Sequence, residues 1–117
     1  MNIIEKTVVV YSAKFTEEDL DLISYVMQKV WSFVRNVDSL FQDGGYTGFT
    51  ASLNALATIR QNVLYNVPIT KDNIDVIDNL YDIMSTFSSW YKEDSRIEKA
   101  DALWLNISTL RTKLRKD

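Results

Sequence analysis

The chain has 117 residues, of which 46% are hydrophobic and 12% aromatic, with a formal net charge of −3. That supplies enough apolar material for one domain with a real core, in a chain too aromatic and too poor in proline to be disordered. It contains no cysteine and no histidine, which excludes disulfides, thiolate metal sites, Ser-His-Asp and Cys-His catalysis, and the commonest general base and metal ligand.

Residues 3–15 read as a β-strand. Three consecutive valines, Val8, Val9 and Val10, are followed by Tyr11 and Phe15, residue types that fit a pleated surface. A lone strand cannot satisfy its own N–H and C=O groups, so this one requires a partner. The partner is a second copy of the chain, another protein, or a short extended piece such as Leu64–Ile69, which Pro68 makes less suitable.

Thr16 reads as the N-cap of a first helix over about 17–42, with Glu17, Glu18 and Asp19 at the positive end of its dipole. Leu20, Ile23, Val26, Met27, Val30, Phe33, Val34, Val37, Leu40 and Phe41 recur at helical spacing, and Leu22, Tyr25 and Trp31 widen the stripe. A stripe so wide predicts a central helix contacted on several sides. Asp43–Phe49 holds all three glycines of the chain and reads as a loop. A second helix over about 50–66 carries Leu53, Leu56, Ile59, Val63 and Leu64, and Pro68 ends it.

Thr70 caps a third helix, 71–92, whose stripe is Ile74, Ile77, Leu80, Tyr81, Met84, Phe87 and Tyr91. Ser95-Arg96-Ile97-Glu98 has capping-box spacing and opens a fourth helix, 96–115, with Ala100, Leu103, Trp104, Ile107, Leu110 and Leu114. Its basic last turn, Arg111, Lys113, Arg115 and Lys116, suits the negative end of the dipole. The expected fold is mainly α: an N-terminal β-strand followed by a four-helix, bundle-like single domain spanning 1–117.

Three features are candidates for function. The edge of Val8, Val9, Val10 and Tyr11 suits strand addition, by a second copy forming a dimer or by a foreign protein. Asp75, Asp78 and Asp82 lie three or four residues apart on one face of the third helix, a row that suits a basic partner or an ordinary solvated face. Gly44 and Gly45, with Tyr46 and Phe49 for ring stacking and Arg60 for charge, outline a small-ligand site of nucleotide-like type. No phosphate-loop motif supports it, and a plain helix–helix connection is the simpler reading. Trp90-Tyr91, near a helix end, is the pair to suspect if one of the two is exposed.

No metal site and no cofactor are indicated. The acidic balance argues against direct nucleic-acid binding. No apolar run approaches the roughly 20 residues of a membrane span, and no basic stretch followed by an apolar one marks a signal peptide, so the expected location is the cytoplasm. The leading expectation is a non-enzymatic, small acidic binding protein that works through protein–protein contact, of inhibitor, immunity or regulatory type. In size and composition it is like the small accessory proteins of phages and other mobile elements. The alternatives are a protein that binds or sequesters a small nucleotide-like ligand at the Gly44–Phe49 loop or a subunit boundary, and a structural subunit of a larger assembly.

Overall fold

The computed structural model describes the backbone of residues 1–6, 10–35 and 46–116. The stretch expected to be one strand is two: β1 (Asn2–Lys6) and β2 (Val10–Lys14). They pair antiparallel, with Asn2 opposite Lys14, Ile4 opposite Ser12 and Lys6 opposite Val10. A single long strand would have left both edges bare. Doubling back lets one edge of each half satisfy the other without help from outside the segment.

The other edge of β2 is also engaged. The Ala13 N–H donates to the Ile69 carbonyl at 3.0 Å and the Ile69 N–H donates to the Ala13 carbonyl at 2.7 Å. The Leu64–Ile69 alternative is thus realised at one residue, just past Pro68, where an N–H is again available. Because Ala13 points its polar groups away from β1, its partner Ile3 points its own away from β2. By the alternation of an antiparallel ladder Glu5 does the same, so the outer edge of β1 carries backbone polar groups that β2 does not meet.

α1 (Glu17–Arg35) follows. Its start is reciprocally capped: the Thr16 N–H donates to Asp19 Oδ2 at 2.9 Å and the Asp19 N–H donates to Thr16 Oγ1 at 3.1 Å. α2 (Tyr46–Leu64) begins earlier than its composition suggests. Residues 46–49 are its first turn and not part of a loop. Gly48 is tolerated inside the helix because a side chain there would press on Trp31, only 3.2 Å from where a Cβ would sit. The end of α2 is set by Asn66 in the left-handed region, φ 54°, with the Val67 N–H donating to the Asn62 carbonyl at 2.9 Å. Asn tolerates this conformation and Pro68 merely follows it.

A 3-10 turn over Lys71–Asn73 leads into α3 (Ile74–Trp90). The Thr70 N–H donates to Asn73 Oδ1 at 3.3 Å, so Thr70 introduces the 3-10 turn and not the helix itself. α4 (Ile97–Lys116) is led in by a turn organised on Asp94 and not by the Ser95 capping box. Asp94 Oδ1 accepts from the Arg96 N–H at 2.8 Å, and the Asp94 carbonyl accepts from the Ile97 N–H at 3.1 Å.

α3 and α4 pack along each other, α1 and α2 close on α3, and the strand pair lies against α4. One core joins them. Ile23 and Val26 of α1, Ile59 of α2, Ile77, Leu80 and Phe87 of α3, and Ile107, Leu110 and Leu114 of α4 are all fully buried. Ala13 and Ile69 complete it from the strand side. Such burial contributes about 25 cal/mol per Å² of apolar surface.

Candidate functional site

The sequence-derived candidates divide sharply. Gly44, Gly45, Val8 and Val9 lie outside the described residues, as do the side chains of Val10 and Tyr46. The backbone of Val10 pairs with Lys6. Tyr11 sits on the core-facing side of β2, with the Lys113 ammonium 4.6 Å from the centre of its ring. Tyr11 therefore ties the strands to the last turn of α4.

The acidic row does not stand as three equivalent charges. Asp75 and Asp82 are exposed, but Asp78 is engaged within the chain. Its Oδ1 accepts from Arg111 Nε at 2.7 Å, and both its oxygens accept from an Arg115 guanidinium nitrogen at 2.8 Å. Burial pushes the Asp78 carboxyl up, but the hydrogen bonds and charges of Arg115 and Arg111 outweigh it and hold the group below its ordinary value. The basic end of α4, legible as a dipole complement, is thus also the counterpart of α3. Arg111 lies over the Tyr81 ring as well, 4.4 Å from its centre.

A second polar group closes the opposite end of α4. The Tyr25 hydroxyl donates to Asp94 Oδ2 at 2.8 Å, and Arg96 covers the Tyr25 ring at 4.3 Å. Burial pushes the Asp94 carboxyl up, while the Arg96 N–H, the Tyr25 hydroxyl and the charges of Lys29 and Arg96 together hold it below its ordinary value. The hydrogen bond to Asp94 in turn raises the Tyr25 pKa. These groups are oriented on each other and on the α3–α4 connection, an arrangement that fastens helices.

One partly exposed apolar patch is aromatic. Phe33 of α1 and Trp90 of α3 meet with ring centres 4.8 Å apart, yet each is 44% exposed. Next to Trp90 in the chain, Tyr91 stacks on Phe87 at 5.2 Å and its hydroxyl donates to the Lys29 carbonyl at 2.8 Å. The suspected pair therefore splits into an anchored tyrosine and an open tryptophan. One turn away, Trp31 meets Phe49 edge to face at 5.6 Å and 81°. Trp31 is a partition. On one side lies a cleft of about 340 Å³ between α1 and α2, lined by Phe49, Leu53 and Arg60 among others. On the other lies a hollow of about 270 Å³ that reaches Asp82 and Trp90.

No family model, no curated protein and no solved structure matches this chain.

Two of the five residues picked for a small-ligand site, Phe49 and Arg60, do share the α1–α2 cleft. They are three turns apart on one face of α2, so the helix, and not a loop, aligns them. Trp31 and Leu53, which the apolar spacing places on core stripes, line the cleft, and Phe33 lies at the surface with Trp90. The width of the stripes was the available signal. More apolar positions were offered on α1 and α2 than a small bundle can bury, and the surplus surfaces here. Among the described residues no three acidic side chains converge as a metal ion would require, and no helix is long and apolar enough to cross a membrane.

Proposed function

We propose that this protein works by binding another protein, with the Phe33–Trp90 pair as the centre of the contact. One observation carries the reading: two aromatic rings in contact, tilted at 51° and held by two different helices, remain 44% exposed beside a second aromatic pair. Large aromatics fixed on rigid helices are the residue types that dominate binding energy, because they bury much area at small entropic cost. The charged groups on α4 are largely committed to internal pairs, so they suit the rim of such a contact and not its centre. A regulatory or inhibitory role follows from a binding surface of this kind on a chain without histidine or cysteine chemistry.

The test compares the wild type with a Phe33→Ala/Trp90→Ala double variant as baits in the native host. A partner captured by the wild type, and lost or weakened at least tenfold with the variant at unchanged helicity, supports the reading. Equal capture by both proteins removes the aromatic pair as the contact.

A second contact has its own observation. The outer edge of β1 has no strand neighbour among the described residues, and Ile4 on this strand is 37% exposed. A second copy added antiparallel about Ile4 would set Ile4 against Ile4 and Ile3 against Glu5, without opposing like charges. We propose this edge, in place of the Val8–Tyr11 edge, as the site of self-association. Ile4→Lys should then convert a dimer to a monomer in sedimentation velocity. A wild type that is monomeric at every concentration would end the proposal.

A further inference from the structure

The cleft between α1 and α2 has the composition of a ligand site and not of an unfinished core. Trp31 and Phe49 stand nearly perpendicular, at 81°, and form a corner into which a flat ring fits. Leu53 and Leu56 supply apolar wall, Gln28 and Ser24 supply neutral hydrogen-bonding groups, and Arg60 stands among them. Arg60 is the one charged residue of the lining, it is exposed, and it makes no ion pair among the described residues. The indole N–H of Trp31 is buried and has no acceptor. A buried donor without a partner costs about 1–3 kcal/mol, and this one is closed to water, so it lies behind the aromatic wall and is not offered to the cleft.

Size and charge then narrow the ligand. A volume of about 340 Å³ lies at the low end for small-molecule sites. It holds a ring system with a short substituent. A nucleotide with several phosphates would bring more negative charge than one guanidinium can neutralise. The lining offers one cation, Arg60, with the neutral donors of Gln28, Ser24 and Ser32, and no lining residue is acidic. A ring bearing a single carboxylate satisfies all of these at once: the ring in the Trp31–Phe49 corner, the carboxylate on Arg60 in a charge-assisted pair.

We propose that this cleft binds small aromatic monocarboxylates. The site is separate from the Phe33–Trp90 surface and its test does not depend on a protein partner.

Three probes separate the contributions: indole-3-acetate carries ring and charge, indole the ring alone, acetate the charge alone. Binding to the full chain is followed by amide chemical shifts and by titration calorimetry. Indole-3-acetate is expected to bind about tenfold more tightly than indole, a difference of about 1.4 kcal/mol, with shifts centred on residues 24–32 and 49–60, and acetate is expected to show none. Arg60→Gln should bring indole-3-acetate to the level of indole and leave indole unchanged. Arg60→Lys should restore part of the difference. Leu53→Glu, at a position already 46% exposed, should abolish both while the helical spectrum is retained. Three results would overturn the proposal: no binding of indole-3-acetate at millimolar concentration, equal affinity in wild type and Arg60→Gln, or shifts centred outside the two segments.

Discussion

Two regions of this molecule treat their side chains in opposite ways. Along α4, charge is consumed internally. Asp78 holds two arginines, and Asp94 holds Tyr25 and the start of the helix. At the other end of α3, where it meets α1 and α2, the aromatic residues are left partly open: Phe33 and Trp90 at the surface, Trp31 and Phe49 at a cleft. The change happens between neighbours, since Trp90 is open and Tyr91 is locked. A polar tip explains it. The Tyr91 hydroxyl finds the Lys29 carbonyl and its ring lies on buried Phe87. Trp90 points to the side where it meets Phe33. At Asp78 and Asp94 charge closes the fold, and near the end of α3 aromatic surface is left open.

The contrast can be broken first on its closed side. Phe87 is fully buried between Tyr25 and Tyr91. Phe87→Ala should destabilise by about 3–5 kcal/mol in urea unfolding, whereas Trp90→Ala, three residues on, should cost no more than about 1 kcal/mol. Similar losses for the two would erase the distinction between locked and open aromatics.

Next in size is the Asp78 centre. Asp78→Asn should cost about 1 kcal/mol, since the group is partly solvated and its pairs are screened. The loss should shrink at high salt, and a double-mutant cycle with Arg111→Gln should show coupling between the two positions.

The pH profile sharpens the same point. Asp78 and Asp94 have lower pKa values folded than unfolded. Their contribution is therefore complete above the unfolded value of about 3.9 and is lost as pH falls through the folded values. Tyr25 has the opposite sign. Its raised pKa stabilises the fold below pH about 10 and loses that contribution as pH rises through the folded value. Asp78→Asn should flatten the acid limb and leave the alkaline limb unchanged. Tyr25→Phe should flatten the alkaline limb and, by removing the hydroxyl bond that helps lower the Asp94 pKa, part of the acid limb as well.

Two smaller effects complete the series. The Ser12 hydroxyl is buried on the strand pair without a partner. Ser12→Ala should stabilise by up to about 1 kcal/mol by removing its desolvation cost. Gly48→Ala should gain helix propensity of up to about 1 kcal/mol and give most of it back against Trp31, for a net change near zero. Its readout is a shift in tryptophan fluorescence, because the indole that walls the cleft must move.

Much of the helical architecture could be read directly. The Thr16–Asp19 cap, the apolar spacing of α3 and α4 and the β character of the N-terminal segment are local properties, set by residues three or four apart. The strand pairing is not legible because residues 3–15 contain no glycine, proline, asparagine or aspartate to mark a break, and so read as one continuous strand. The fate of Asp78 was also hidden. Its spacing to Asp75 and Asp82 describes one helix, while its arginines lie more than thirty residues away on another.

The residues by themselves determined which segments are helical, where the capped start of α1 falls, and that the chain carries no histidine or thiol chemistry. Backbone hydrogen bonding and side-chain periodicity are short-range, so they are written in adjacent positions. Tertiary structure decided which acidic residue is spent on a neighbour, which member of Trp90-Tyr91 is exposed, and that Phe49 and Arg60 face one cleft with Trp31. Those outcomes depend on how helices from distant parts of the chain are turned against one another. More apolar residues were available than the core could bury, and only the packing chose which of them stayed outside.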